Sequence, residues 1–329
     1  MLDRLLAEGR PLLADGATGT NLFAAGLASG APPELWNEER PDKVRALHRA
    51  FIDAGADIVL TNSFGANRRR LALHGLETRV LELNRLAAEN ARLSADSAGR
   101  PVVVAGSVGP TGDVFAPLGP LGEDEAIEVF LEQIEGLGEG DADVVWIETM
   151  SAAEEMRAAA TAASRAGMHY TVTASFDTAG RTMMGVAPEA RGALVQSFEA
   201  KPVAYGANCG VGASDLLVAV LAMSAADAGA GLIAKANVGV RQWRGAEICY
   251  PGTRELMAVY AGLAVDCGAR IVGGCCGNSP AHVGAMRRAL DGHRPGPRPT
   301  AEAIVAALGP LVAPPAPERA ARARRRERA

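Results

Sequence analysis

Eight short apolar runs recur along the chain, and each is followed by a longer stretch that is rich in Ala, Leu, Glu and Arg. The runs are Pro11–Ala17, Asp57–Phe64, Val102–Val108, Val144–Met150, Tyr170–Phe176, Val203–Cys209, Leu232–Val238 and Arg270–Cys276. The helix-like stretches include Asp42–Ala54, Glu77–Ala98, Glu123–Gly138, Ala152–Ala166, Glu189–Ala200, Ser214–Ala226 and Thr253–Cys267. Strands that alternate with helices at this spacing indicate parallel βαβ units. Eight such units predict an α/β fold, a single-domain (β/α)8 TIM barrel, rather than an open doubly wound sheet.

Polar and sulfur-containing residues gather at the C-terminal ends of the apolar runs. Asp15 and Gly16 end the first run, Glu148 the fourth, Cys209 the sixth and Asn237 the seventh. In barrels of this class the catalytic residues lie at the C-terminal ends of the strands. A random scatter of polar residues would not prefer one end, so the pattern predicts an enzyme.

The segment RIVGGCCG, Arg270–Gly277, carries two adjacent cysteines at the end of the last run. Neighbouring residues of a strand point to opposite faces, so Cys275 and Cys276 can bind one metal ion only if the strand breaks there. The flanking glycines permit that break. Cys209, at the end of the sixth run, is the candidate for a third ligand, and three thiolates with one open position match a catalytic zinc site. The alternative is that these thiols are ordinary buried apolar side chains, as we predict for Cys267.

Three further features have a functional and a structural interpretation. The Asp15-Gly16 step is either a plain turn or a bend whose free backbone N–H groups hold a carboxylate. Glu148 ends an apolar strand and needs a cationic partner, which is either the ammonium group of a ligand or a salt bridge to a neighbouring loop. Trp36 lies in a loop rich in Pro and Gly, where its indole either binds an onium group or fills a hydrophobic site.

The cysteine content and the chain ends give no indication of secretion. Five cysteines in 329 residues do not resemble a disulfide framework, and the N-terminus lacks a basic leader followed by an apolar run. No apolar stretch approaches the length of a membrane span. We therefore expect a cytoplasmic protein that binds small molecules, without a membrane or nucleic-acid partner and with a possible homo-oligomeric state.

Charge is distributed unevenly between the body of the chain and its end. The formal net charge is -5, although Pro317–Ala329 contains six Arg and two Glu. The body is thus more acidic than the whole, which disfavours a nucleic-acid surface on it. We predict that residues 1–295 form the barrel and that residues 296–329 form a C-terminal extension. This extension would contain a helix within Ala301–Leu311 and a disordered basic tail.

None of the five histidines has a spacing to another histidine or to an acid that suggests a catalytic triad or a His-metal motif. The nucleophile of the reaction is therefore expected to come from the substrate.

Four segments together resemble one family. They are DGATGT (Asp15–Thr20), TNSFGAN (Thr61–Asn67), GANCG (Gly206–Gly210) and GGCCG (Gly273–Gly277). In this order they are similar to the zinc-dependent homocysteine S-methyltransferase family. That family includes betaine–homocysteine methyltransferase and the homocysteine domain of cobalamin-dependent methionine synthase.

The resemblance implies a zinc ion held by Cys209, Cys275 and Cys276, with the sulfur of homocysteine as the fourth ligand. It also implies that Asp15-Gly16 and Glu148 surround the amino acid end of homocysteine. Asn237 in KANVG matches an Asn that lies near the metal in some members, although Ala236 stands where the family more usually has Pro.

The resemblance also bears on the methyl donor. Trp36 in ELWNEERPD matches a loop tryptophan that faces betaine in betaine–homocysteine methyltransferase, whereas the second aromatic residue of that enzyme would here fall near Gly65. With WIETM (Trp146–Met150), TASFDTAG (Thr173–Gly180) and GANCGVGASD (Gly206–Asp215), the sequence resembles bacterial betaine–homocysteine methyltransferases most closely. This resemblance implies glycine betaine as the donor, with methionine and dimethylglycine as products.

Other donors and another class of reaction stay open. S-methylmethionine, dimethylsulfoniopropionate or a separate corrinoid protein could supply the methyl group. A phosphate-binding lyase barrel without zinc is the alternative of another class.

Overall fold

The structure is a computed structural model, and it describes residues 1–226, 231–240, 242–244 and 247–314. Its central sheet consists of eight parallel strands, each of which coincides with one of the predicted apolar runs. They are β1 (Leu12–Leu13), β2 (Ile58–Leu60), β3 (Val103–Val108), β4 (Val144–Met150), β5 (Tyr170–Ala174), β6 (Ala204–Cys209), β7 (Leu232–Ala236) and β8 (Ala269–Gly274).

The sheet closes on itself. Neighbouring strands follow the order β1-β8-β7-β6-β5-β4-β3-β2. A parallel bridge between Ala14 and Ile58 then joins β1 to β2, and the Asp57 N–H donates to the Leu13 carbonyl at 2.7 Å. The (β/α)8 barrel predicted from the alternation of strands and helices is confirmed.

Helices surround the sheet and follow its strands. In chain order they are α1 (Leu2–Ala7), α2 (Thr18–Ala24), α3 (Trp36–Glu39), α4 (Pro41–Asp53), α5 (Arg68–Leu71), α6 (Val80–Asp96), α7 (Glu123–Glu139), α8 (Ala153–Arg165), α9 (Arg191–Gln196), α10 (Ala213–Ala226), α11 (Arg254–Asp266), α12 (Pro280–Gly292) and α13 (Ala301–Leu308). Short 3-10 turns span Pro33–Leu35, Ala72–His74 and Pro188–Ala190, and Gln242–Arg244 pairs antiparallel with Glu247–Cys249.

The helix predicted over Glu189–Ala200 is shorter than expected. It is helical only in α9, because a 3-10 turn starts at Pro188 and the Lys201 ammonium donates to the carbonyls of Gln196 and Phe198 at the C-terminal end. A cation that satisfies terminal carbonyls stabilises a helix end at that point.

Two apolar layers position the functional end of the barrel. The inner layer includes Leu12, Ile58 and Trp146, and Leu2 and Leu5 of α1 pack against it at the N-terminal end of the strands. The outer layer lies between the sheet and its helices. Helix α1 covers the N-terminal end of the barrel. The polar side chains at the ends of the strands lie at the opposite, C-terminal end.

The start of the predicted extension packs against α10. Ile304 and Leu308 of α13 are buried, and the Ser214 hydroxyl donates to the Gly309 carbonyl at 2.7 Å. The division at residue 295 stays a prediction, and the predicted basic tail Pro317–Ala329 lies outside the described residues. Over the described part of the chain, every helix is too short or too polar to cross a membrane.

Candidate metal and substrate site

Three thiols meet at the C-terminal end of the barrel. The Sγ atoms of Cys209, Cys275 and Cys276 all lie within 4.8 Å of one another, and those of Cys209 and Cys276 are 3.9 Å apart. The structure therefore brings together the predicted ligands from two distant parts of the chain. Cys267, predicted as a core residue, is buried away from them, and the side chain of Cys249 lies outside the described residues.

The backbone around the thiols is turned away from strand geometry. Cys209 has φ 62°, in the left-handed region that L residues seldom adopt, and Gly277 has φ 77°. The Cys275 N–H still bonds to the Ala236 carbonyl of β7 at 2.7 Å, whereas the Cys276 N–H bonds to the Asn237 side chain at 2.9 Å. Hydrogen bonding to the β7 backbone thus continues through Cys275, one residue past the end of β8, and stops before Cys276, which lets both sulfurs face one point.

The spacing and chemistry of the thiols fit a metal ion. Two thiolates on one tetrahedral zinc ion are about 3.8 Å apart at ordinary Zn–S distances, which matches the 3.9 Å between Cys209 and Cys276. Hydrogen bonds from the sulfurs of Cys209 and Cys275 lower the pKa of Cys276, whereas those to Cys209 and Cys276 raise the pKa of Cys275. Soft sulfur donors of this kind suit zinc.

The Asn237 side chain contacts both Cys209 and Cys276. Its amide nitrogen donates to the Gly210 carbonyl at 2.8 Å and faces the Cys209 sulfur at 3.6 Å, while its carbonyl oxygen accepts the Cys276 N–H. The side chain predicted to lie near the metal is therefore in contact with the thiol cluster.

Asn208, one residue before Cys209, links the cluster to the end of β4. Its carbonyl oxygen accepts from the Thr149 N–H at 2.8 Å and the Thr173 hydroxyl at 2.7 Å. Its amide donates to the Thr149 hydroxyl at 2.7 Å and lies 3.8 Å from the Cys275 sulfur. Thr149 has φ 64°, an uncommon conformation for a β-branched residue. Sequence reasoning did not single out Asn208, although it stands in the GANCG segment.

A cavity of 660 Å³ is lined by all three cysteines. Its lining also includes Gly16, Ser107, Glu148 and Lys235, together with Phe23, Glu34, Phe64, Arg70 and His74. At Gly16 a Cβ atom would lie 2.4 Å from the Asn278 carbonyl oxygen, so glycine is required there. The cavity is large enough for two small molecules side by side.

A buried lysine that the sequence analysis missed lies among the cavity carboxylates. The Lys235 ammonium is 2.9 Å from Asp15 Oδ1, and the second Asp15 oxygen accepts the Leu60 N–H at 2.8 Å. The Lys235 nitrogen also lies 5.7 Å from the centre of the Trp146 ring. Both oxygens of Asp15 are therefore bonded within the protein.

Glu148 is held differently. Its Oε1 accepts from the Ser107 hydroxyl at 2.6 Å, and within the described residues its Oε2 accepts no hydrogen bond. Burial raises the pKa of Glu148 to about 7, against the opposing effects of the Lys235 charge and the Ser107 hydrogen bond. The carboxylate predicted for an ammonium group thus has a free oxygen in the cavity wall.

Trp36 is a predicted site residue that does not line the cavity. Asp15 and Asn237 do not line it either, but they contact Lys235 and Cys209, which do. It is 7% exposed, packs with Leu22, Leu27 and Val44, and the Lys43 ammonium lies 4.9 Å from the centre of its ring. A contact between Trp36 and a methyl donor stays a prediction. The aromatic rings that line the cavity are Phe23 and Phe64.

A sequence model of the homocysteine S-methyltransferase family matches residues 12–290. The chain belongs to this family. Among curated proteins it is 32% identical over 299 residues to a methionine synthase of Mycobacterium tuberculosis, covering 85% of this chain and 25% of that protein. A methionine synthase of Mycobacterium leprae is 31% identical over 307 residues, with 87% and 25% covered. The chain thus spans about a quarter of the length of these relatives.

Solved structures share the fold. The metallated form of the homocysteine methyltransferase MmuM from Escherichia coli aligns with a TM-score of 0.72 at 24% identity, over 87% of this chain and 98% of that one. Its oxidised form aligns at 0.70, again at 24% identity, over 84% and 95%. The predicted membership in the homocysteine S-methyltransferase family is confirmed, while a closer likeness to betaine-dependent members stays a prediction.

Proposed function

We propose that this chain transfers a methyl group from a small onium donor to the thiolate of homocysteine. Glycine betaine is the favoured donor, and methionine and dimethylglycine are then the products. The observation that carries the proposal is the convergence of three thiols in the wall of a cavity of 660 Å³. Membership in the homocysteine S-methyltransferase family supports homocysteine as the acceptor.

We further propose that zinc is the ion of this site and that Cys209, Cys275 and Cys276 hold it. When bound, zinc lowers the pKa of a substrate thiol, so that homocysteine is present as a thiolate at neutral pH. Asn237 and Asn208 support this role because their amides contact the sulfurs of Cys209 and Cys275. Such contacts hold ligands in place before the ion arrives.

The charges around Glu148 support its proposed contact with the ammonium group of homocysteine. Asp15 and Lys235 neutralise each other, and the free oxygen of Glu148 is left to accept a further cation. Gly16 lines the same cavity, so the Asp15-Gly16 step contributes backbone surface rather than a free carboxylate. We expect Glu148→Ala to weaken homocysteine binding and to leave the zinc content unchanged.

The proposed reaction needs no general acid or base from the protein. The sulfur of homocysteine forms a bond to the methyl carbon as the carbon–nitrogen bond of betaine breaks, and the electron pair of that bond stays on nitrogen. The residues of the cavity bind and orient the two reactants and exclude water. Phe23 and Phe64 offer ring faces of the kind that attract quaternary ammonium groups.

A direct assay tests the proposal. Purified protein is incubated with homocysteine and each candidate donor in turn, without a second protein, and methionine is measured along with bound metal. We expect about one zinc ion per chain and methionine from glycine betaine. A protein that contains no zinc and forms no methionine would refute the proposal and favour the lyase alternative.

A corrinoid protein is the second candidate donor, because the curated relatives are methionine synthases about four times as long as the aligned part of this chain. In that case methionine would form only when a separate methylated corrinoid protein is added. The assay without a second protein separates the two donors.

A further inference from the structure

Three consecutive arginines, Arg68, Arg69 and Arg70, follow β2, and their guanidinium groups have different surroundings. Arg68 pairs with Glu132 at 2.8 Å, and Arg69 pairs with Asp113 and Glu125. Within the described part of the chain, the Arg70 guanidinium makes no ion pair and donates no hydrogen bond. Arg70 bonds to a side chain only through its backbone N–H, which donates to Asn67 Oδ1 at 3.0 Å.

Arg70 lies in the wall of the cavity that contains the thiols. Its side chain passes Gly112, where a Cβ atom would be only 3.2 Å from Arg70 Nη1. Glu34 belongs to the same wall, but its Oε1 accepts the Gly65 N–H at 2.8 Å and it is not within ion-pair distance of Arg70. Arg70 is thus a half-buried cation in the cavity wall. Its charge opposes the burial that raises the pKa of Glu34, yet among the described residues it forms no ion pair with that carboxylate.

We propose that Arg70 is a specificity-determining residue that binds the carboxylate of the methyl donor. The inference rests on the proposed function, and it narrows the donor class to onium compounds that carry a carboxylate. A guanidinium group binds a carboxylate through two parallel hydrogen bonds, which fixes orientation as well as affinity. Phe64, in the same wall, would contact the onium end of such a donor.

The position of Arg70 favours the donor over homocysteine as the source of the carboxylate. Glu148 and the thiols lie at the ends of strands, whereas Arg70 lies in α5, which follows β2, and its guanidinium approaches Gly112 in the loop after β3. In the proposed reaction the homocysteine sulfur lies at the thiols, and the donor methyl group must lie in line with that sulfur, on the side away from the metal. Arg70, which lies away from the thiols, is therefore placed to bind the donor.

Steady-state kinetics of Arg70→Gln test the inference, with Arg68→Gln as the matched control. The KM values are measured for homocysteine, for the carboxylated donors glycine betaine and dimethylsulfoniopropionate, and for trimethylsulfonium, which has no carboxylate. We expect Arg70→Gln to raise the KM of the carboxylated donors by roughly 10- to 100-fold. The KM values of homocysteine and trimethylsulfonium should change less than twofold, as should every KM of Arg68→Gln.

Arg70→Lys provides a second variant, which should recover part of the donor affinity because it keeps the charge and loses the paired geometry. An equal effect of Arg70→Gln on donors with and without a carboxylate would overturn the inference, and so would a rise confined to the KM of homocysteine. A wild-type protein that forms no methionine from any onium donor would instead refute the proposed function. If the wild-type protein forms methionine and the donor KM of Arg70→Gln is unchanged, the role of Arg70 is refuted and the proposed function is not.

Discussion

The ammonium group of Lys235 lies 2.9 Å from the carboxylate of Asp15, and both side chains are almost completely buried, at 1% and 0% exposure. Burial by itself lowers the pKa of Lys235, but the charges of Asp15 and Glu148 outweigh it and raise the pKa. Burial raises the pKa of Asp15, and the Lys235 charge with the hydrogen bonds from Lys235 and Leu60 opposes that effect. A buried pair of this kind is costly to break, because one charge is left without a partner.

Removing the lysine tests this coupling. We expect Lys235→Met to lower the free energy of unfolding by about 3–5 kcal/mol, since the Asp15 carboxylate then has no cation near it. The double variant Asp15→Asn with Lys235→Met should recover much of that loss. Urea unfolding at neutral pH measures both. If the double variant is as unstable as the sum of the two single variants, Asp15 and Lys235 are not coupled.

Each of the three cluster cysteines should be required for the metal. We expect Cys209→Ala, Cys275→Ala and Cys276→Ala each to abolish stoichiometric zinc binding and methionine formation, because two thiolates and a weaker ligand replace the set of three. The far-UV circular dichroism spectrum should be unchanged. Cys267→Ala is the control, since this thiol is buried away from the cluster. Full turnover by any cluster variant would refute the assignment of that ligand.

The barrel could be predicted from sequence because its signal repeats. Each strand is a short apolar run bounded by a helical stretch, and eight repeats leave little freedom in the topology. The thiol cluster could be predicted because GGCCG and GANCG place scarce sulfur atoms at strand ends, where the fold requires the site to be.

The positions of Lys235, Arg70 and Phe64 in the cavity wall could not be predicted in the same way. In Leu232–Ala236 both faces of the strand are buried, so alternation does not reveal that Lys235 shares the inner face with Ile233. Phe64 lies in the loop after β2 and Arg70 in the short helix α5 that follows it, and the positions of both depend on tertiary packing. Trp36 fitted the resemblance, but its ring packs with Leu22, Leu27 and Val44, and no periodic pattern in this segment predicts that packing.

Asn208 should affect metal binding, because its amide orients the Cys275 sulfur and holds Thr149. We expect Asn208→Ala to weaken zinc binding by about 10- to 100-fold, because the amide no longer orients the sulfur or holds Thr149 at φ 64°. Competition with a chelator measures zinc affinity without reference to turnover. Asn90→Ala serves as the control, since Asn90 bonds to the Asn37 carbonyl instead of the cluster. Equal zinc affinity in Asn208→Ala and Asn90→Ala would show that Asn208 has no role in positioning the ligand.

Glu148 should make the stability of the metal-free protein depend on pH. Its pKa is about 7 in the folded state against an ordinary value of 4.5, so the unfolded chain releases this proton first as pH rises. The Glu148 contribution to stability therefore falls between about pH 4.5 and 7 and is constant above. Glu148→Gln removes that cost, and we expect it to be roughly 3 kcal/mol more stable than the wild type at pH 8. At pH 5 the difference should be small. Urea unfolding at both pH values measures it, and a difference independent of pH would contradict the argument.

Phe64 and Trp36 offer competing surfaces for the onium group, and their positions lead to opposite expectations. Phe64 lines the cavity and is 37% exposed, so Phe64→Leu should raise the KM of glycine betaine by about two- to fivefold through the loss of a cation–π contact, with the KM of homocysteine unchanged. Trp36→Leu instead leaves a void among Leu22, Leu27 and Val44, so it should lower the melting temperature before it alters the donor KM. Kinetics and thermal unfolding of the two variants separate packing from recognition. A selective rise in the donor KM of Trp36→Leu, without one in Phe64→Leu, would assign donor binding to the indole. The segment that carries Trp36 would then have to rearrange when the donor binds.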